Sequence, residues 1–223
     1  MEKREALLIG ASGLIGSQLL EFLLNNEDYS SVIALTRKPI TVKSEKLRNR
    51  VVDFENLSQL REKFTPGNVI FCCIGTTMKH VQGDKAAYRK IDFDIPVVIA
   101  RLGIEKGYKQ LLLVSAAGAD SHSSNFYLQL KGEVEEAISK IPFEAIHIFR
   151  PSILIGKRKE RRWGEGIAQI VGRYFSFLFT GKWSKYKAIE SNEVAHAMMQ
   201  AVDSTNKGVN IHHYNEIKNF NSK

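Results

Sequence analysis

"LLIGASGLIGSQLLEFL", residues 7–23, decides how the rest of the chain is read. A short apolar run ends at Gly10, a helical apolar pattern begins at Leu14, and Gly10, Gly13 and Gly16 stand at the change of period. Glycine permits a tight turn, close approach of backbone to an anion, and close packing of helix on strand. The free N–H groups of the following helix, with its dipole, then face a phosphate. The spacing is Gly-x-x-Gly-x-x-Gly, not the Gly-x-Gly-x-x-Gly of many dehydrogenases. What carries the reading of a dinucleotide site is the loop's place between an N-terminal strand and an amphipathic helix.

Outward from this loop the same alternation repeats. Apolar runs at 5–10, 31–36, 50–54, 68–75, 110–116 and 144–150 read as buried strands, and helical patterns occupy 14–26, 57–63, 84–106 and 125–140. Strand and helix in alternation imply a parallel sheet covered on both faces. Right-handed crossovers make it doubly wound, an α/β Rossmann-like fold with its ligand crevice at the carboxyl ends of the strands. Beyond residue 151 the pattern changes to helices over 163–179 and 190–202 and a strand over 208–215. No flexible linker intervenes, so residues 1–223 are expected to form one domain, with 151–223 an extension forming the substrate side.

The composition is that of a packed globular protein, 43% apolar with only 5 prolines. No apolar run reaches membrane-spanning length, and Glu2 and Glu5 spoil a secretory signal, so a cytoplasmic protein is expected. The two cysteines, Cys72 and Cys73, are adjacent and point to opposite faces of a strand, which disfavours a mutual disulfide. Without a Cys-x-x-Cys pair, no metal site is expected. The net charge of +8 is concentrated in "GKRKERRWG" (156–164) and "GKWSKYK" (181–187). Nucleic acid is not the expected partner, since no nucleic-acid motif accompanies the charge; attraction of an anionic cofactor or substrate is the simpler use. The aromatic stretch "GRYFSFLF" (172–179) reads as core, as a roof over the substrate pocket, or as a contact for a homodimer or protein partner.

The second strand ends in "ALTRKP", with Arg37 and Lys38 where an NAD site usually has an acidic residue for the ribose hydroxyls. A guanidinium grips a 2′-phosphate that a carboxylate would repel, so NADP(H) is preferred over NAD(H).

"LLLVSAAGADSHSSNFYLQLKGEVEEAI" (111–138) puts Ser115 at a strand end, and Tyr127 and Lys131 one turn apart on the next helix. Reducing a carbonyl needs hydride on carbon and a proton on oxygen. Tyrosine titrates near 10 and needs a neighbouring cation to stabilise its phenolate. Lys131 is placed for this and for the nicotinamide ribose, while Ser115 can bond the substrate oxygen as charge develops. A second Tyr-x-x-x-Lys, Tyr214 with Lys218, lacks the serine and the position, and reads as structural.

"GASGLIG", "TRKP", "IGTT", Ser115, "SSNFYLQLKGEVE" and "FRPSIL" together resemble the short-chain dehydrogenase/reductase superfamily, and within it the atypical Tat-interacting-protein-like branch. The resemblance spans about residues 5–202. It implies that Gly10, Ser12, Gly13, Leu14, Ile15 and Gly16 hold the pyrophosphate and Arg37 and Lys38 the 2′-phosphate. It puts Asp53 and Phe54 by the adenine, and Cys73, Gly75, Thr76 and Thr77 along the ribose path. Arg150 and Pro151 border the nicotinamide, and catalysis falls to Ser115, Tyr127 and Lys131, the last two touching cofactor as well.

The resulting expectation is an NADP(H)-dependent oxidoreductase acting on a small carbonyl or alcohol. The rival is an NADPH-binding regulatory or scaffold protein with little turnover, and a third reading is epimerisation by transient oxidation. The basic end of the second strand makes a direct prediction. A charged hydrogen bond contributes roughly 1.5–3 kcal/mol, so Arg37→Ala should weaken NADPH by about ten- to a hundredfold and leave NADH nearly unchanged. Calorimetric titration with both cofactors checks it; equal affinity of the parent for the two overturns it.

Overall fold

A computed structural model describes residues 3–155 and 187–222. Its centre is a seven-stranded, wholly parallel sheet in the order β3-β2-β1-β4-β5-β6-β9. The strands are β1 (Arg4–Ile9), β2 (Tyr29–Thr36), β3 (Leu47–Val51), β4 (Val69–Cys72), β5 (Gln110–Val114), β6 (Ala145–Phe149) and β9 (Gly208–His212). Two further strands, β7 (Leu154–Ile155) and β8 (Ile189–Glu190), pair with each other. The helices are α1 (Leu14–Asn25), α2 (Leu57–Lys63), α3 (Lys85–Arg89), α4 (Ile95–Glu105), α5 (Phe126–Ser139), α6 (Ser191–Ala201) and α7 (Tyr214–Phe220).

The apolar runs of the inner strands are continuous because both faces of the sheet are covered. Ala6 and Leu8 enter one core with Val32, Ala34, Phe71 and Phe149, under α1 and α6. Leu7 and Ile9 enter the other with Ile33, Leu35, Ile70 and Ile148, under α2, α4 and α5. Cys72 and Cys73 divide in the same way: Cys72 is buried in the second core and Cys73 packs against the first. Both thiols are free.

Three expected elements come out differently. The helix over 84–106 is interrupted by a π turn at Lys90–Asp94, where the Ile95 amide reaches back to the Lys90 carbonyl. Pro96 accounts for the break: it has no N–H to offer the Asp92 carbonyl, and its ring crowds that same group. β3 lies earlier than the apolar residues of 50–54, pairing Val32 with Leu47 through Thr36 with Val51. It is an edge strand whose residues are mostly half-exposed, so its apolar run is a poor guide to its limits. The strand over 208–215 stops at His212, and His213 caps α7, which the sequence reading had not separated. The helix over 163–179, both basic stretches apart from Lys187, and the aromatic patch fall outside the described residues.

β6 and β9 carry an unusual polar pair inside the first core. His147 Nδ1 lies 2.9 Å from His212 Nε2, with the rings stacked, and Phe149 and Phe220 flank them. Burial first, and His212 second, hold His147 down at about 4. Above the ordinary value of 6.5 both folded and unfolded chains are neutral at this site; as pH falls toward 4, only the unfolded chain takes up the proton. Stability should therefore decline by up to about 3 kcal/mol across that window and level off below it. Urea unfolding as a function of pH checks this, and His147→Gln should flatten that part of the slope.

Candidate functional site

The loop between β1 and α1 has no room for side chains at two of its glycines. Gly10 sits at φ 83°, and a Cβ there would lie 2.4 Å from the Cys73 carbonyl oxygen. A Cβ on Gly16 would lie 2.1 Å from the Gly10 carbonyl oxygen, so β1 and α1 meet only because both are glycine. The Gly13 amide closes the turn onto Gly10 at 2.9 Å. Gly13 is the N-cap of α1 and offers no side-chain cap, and the first turn contains no acid. The N–H groups of this end are thus left for an anion, the arrangement a pyrophosphate requires. Ser12 is exposed beside them.

The other anticipated cofactor residues lie along the same carboxyl edge. Arg37 and Lys38 are exposed just after β2, and Asp53 is exposed and Phe54 half-buried just after β3. Gly75, Thr76 and Thr77 follow β4; Arg150 and Pro151 follow β6.

α5 carries the candidate catalytic pair. Asn125 starts it by accepting from the Tyr127 and Leu128 amides at 3.0 and 3.2 Å. Tyr127, Lys131 and Glu135 then recur every four residues, on one stripe of the helix. Lys131 and Glu135 are buried, whereas Tyr127 is 40% exposed. The Lys131 Nζ stands 5.9 Å from the Tyr127 ring centre and 3.0 Å from Asp92 Oδ2. Asp92 comes from the π turn, is 1% exposed, and accepts from the Thr76 amide at 2.7 Å through its other oxygen. Tyr88 donates to the Thr76 carbonyl at 3.0 Å, which secures the same loop from the other side.

Glu135, one turn below Lys131, accepts from the Ser115 hydroxyl and is gripped by the Arg150 guanidinium, whose Nε lies 3.0 and 3.2 Å from its two oxygens. The register Val114 with Phe149 makes Ser115 and Arg150 neighbours at the ends of β5 and β6. Ser115 is 4% exposed. The loop after it lies close on α5 at Gly132, where a Cβ would meet the Ser121 amide at 2.1 Å.

The electrostatics follow from these pairs. Burial is the largest single influence and opposes the Lys131 ammonium, but Asp92, with Tyr127 and Cys72 adding to it, overcomes burial, and Lys131 is held above its ordinary value. Desolvation raises the Tyr127 phenol; Lys131 pulls it back and Asp92 adds to the rise. With the residue as a whole 40% exposed, nearby water blunts this rise. Tyr127 is therefore a neutral phenol at about pH 7, with a proton to give.

Sequence reasoning had placed Ser115, Tyr127 and Lys131 at one edge, and the structure joins them through α5. It missed Asp92 and Glu135. Glu135 had a signal: it continues the four-residue spacing beyond Lys131, beside the core residues Leu130, Val134 and Ile138. Asp92 had none, because an ideal helix through 84–106 would aim it elsewhere. Tyr214 opens α7 and packs against the first core, away from this stripe.

Among the described residues no cluster of three or more His, Cys, Asp or Glu could hold a metal ion, and no helix is long and apolar enough to cross a membrane. Residues 10–154 match a family described as NAD(P)H-binding. Protein HTATIP2 of Rattus norvegicus is 34% identical over 93% of this chain and 85% of its own. The mitochondrial protein FMP52 of Coccidioides immitis is 30% identical over 90% of this chain and 86% of its own. Among solved structures, MoeE5 in complex with UDP-glucose and NAD superposes with a TM-score of 0.70 at 15% identity, covering 96% of this chain and 79% of that one. The UDP-glucose 4-epimerase of Thermotoga maritima gives 0.70 at 15% identity, over 94% of this chain and 76% of that one. At such identity these two speak for the fold alone.

The buried pair predicts a stability pattern. Asp92→Ala should destabilise by about 3–5 kcal/mol, because it leaves the Lys131 charge buried and alone. Adding Lys131→Met should recover much of that loss by removing the charge as well. Urea unfolding of both variants checks it, and a double variant no more stable than the single one overturns the explanation.

Proposed function

The chain belongs to the NAD(P)H-binding family, in the branch of HTATIP2 and FMP52, and on that premise we propose that it is an NADP(H)-dependent oxidoreductase acting on a small carbonyl or alcohol. The observation that carries the reading is the α5 stripe: a neutral tyrosine above a buried, paired lysine, beside the glycine cradle. A binding module has no need of that arrangement.

The residues fit the cofactor's chemistry. The first-turn amides of α1 take the pyrophosphate, and Arg37 and Lys38 take the 2′-phosphate. When bound, the nicotinamide supplies or accepts the hydride. Tyr127 donates the proton to the substrate oxygen in reduction and takes it back in oxidation. Lys131 stabilises the phenolate left behind and bonds the ribose; Asp92 keeps the ammonium charged and aimed. Ser115 contacts the substrate. A cytoplasmic, reducing setting is part of this reading, supported by the two free thiols, although the fungal relatives carry "mitochondrial" in their names. The rival, a cofactor-dependent regulatory protein acting through a homodimer or another protein partner, draws support from Asp92, whose charge offsets the help Lys131 gives to the phenol.

Tyr127→Phe separates the two. It removes one hydroxyl and keeps the ring, so NADPH consumption with a panel of small carbonyl compounds should fall by at least about a hundredfold, with cofactor affinity little changed. Tyr214→Phe should leave both alone. Full turnover by Tyr127→Phe overturns the mechanism; no turnover by the parent on any compound favours the regulatory reading.

A further inference from the structure

The Ser115 hydroxyl has a single proton, and the structure directs it to Glu135 Oε1. That acceptor is a carboxylate. Arg150, always protonated, donates to both its oxygens, from Nε at 3.0 and 3.2 Å and from Nη2 as well. Glu135 and Arg150 are together largely shielded, with side chains 6% and 19% exposed, so water competes weakly for these bonds. All three residues are fixed by separate elements: Ser115 by its amide on the Phe149 carbonyl at 2.7 Å, Arg150 by its amide on the His212 carbonyl at 2.9 Å, and Glu135 by α5.

A serine whose proton is committed in this way has only lone pairs left for a ligand. We propose that Glu135, anchored by Arg150, is a positioning residue that pins Ser115 as a hydrogen-bond acceptor toward the reaction site, so that the favoured substrate presents a hydroxyl to it. The inference rests on the reading of Ser115 as part of the substrate site, and it replaces the expected bond from Ser115 to the reacting oxygen with one that Ser115 accepts from the substrate. A carbonyl oxygen, acceptor only, is served by the Tyr127 hydroxyl and gains nothing from Ser115. A hydroxyl on the carbon next to the carbonyl has the proton that Ser115 needs. Hydroxy ketones, and in the reverse direction vicinal diols, are therefore the matching class. The action of Glu135 on the substrate passes through Ser115.

Two measurements test this, one of them independent of turnover. In Ser115→Cys the thiol S–H stretch, read by Raman difference against the parent, should lie at the frequency of a donated hydrogen bond. It should return toward the unbonded frequency when Glu135→Ala is added. An unbonded band in Ser115→Cys, or one that Glu135→Ala leaves in place, overturns the proposal, and the first reading needs no change at Glu135 that could harm folding. In the second arm the parent is assayed with NADPH on acetoin and on butanone, which differ by one hydroxyl. Acetoin should have the higher kcat/KM by at least about tenfold, carried mainly by KM. Glu135→Gln keeps the shape, and its amide N–H can donate to Ser115 and free the serine proton. The preference should collapse, with KM rising for acetoin and falling for butanone. A merely structural role would weaken both alike, and that result, or a preference that survives the change, overturns the proposal. A parent that turns over neither ketone counts against the oxidoreductase reading, while the Raman band still decides the polarity of Ser115.

Discussion

Two opposite charges on one helix face cannot be buried without partners, and the architecture around α5 answers that constraint. Lys131 and Glu135 both lie inside the protein, where an isolated charge costs several kcal/mol. Each is met by an opposite charge from a different element: Asp92 from the π turn before α4, Arg150 from the end of β6. The pairs tie three elements of the fold together at the carboxyl edge of the sheet. They also keep the polar groups in fixed positions, which hydrophobic packing alone would not do, since apolar contacts are non-directional.

The helix break is part of the same solution. An uninterrupted helix over 84–106 would bury its apolar stripe and carry Asp92 around to another direction. Pro96 removes one donor and crowds one carbonyl, the chain widens into a π turn, and Asp92 reaches both the Thr76 amide and Lys131. Thr76 belongs to the loop after β4, so the carboxylate that neutralises the lysine also shapes the wall of the crevice.

The crevice itself comes from the sheet. All seven strands of the sheet run parallel, so every strand ends on the same side; the chain winds from β1 through β2 to β3 in one direction, then crosses back to β4 on the other side of β1, which opens the edge between β1 and β4. The Gly10 turn sits there, pressed on the Cys73 carbonyl. The glycine turn and the α5 stripe are thus both supplied by the core of the domain, and Ser115 stands at the end of β5.

Much of this was legible in the chain itself, for physical reasons that act locally. Continuous apolar runs four to eight residues long, separated by amphipathic helices, are compatible with little besides a parallel sheet covered on both faces. Three glycines at a strand-to-helix change leave few uses other than close backbone approach. Tyr127, Lys131 and Ser115 could be placed at one edge because a helix repeat and a strand end are properties of sequence. The limits of β3 were not legible, because an edge strand buries little. Nor was the pairing of charges, since Asp92 and Lys131 stand far apart along the chain and meet only through a helix defect, and Glu135, whose spacing from Lys131 is legible, finds its partner Arg150 only when β5 and β6 come into register. Sequence periodicity determined the fold and the placement of Ser115, Tyr127 and Lys131 at one edge; the tertiary structure decided which of them are buried, what pairs with the buried charges, and that the Ser115 hydroxyl meets Glu135, because burial and pairing are set by neighbours that local sequence does not contain.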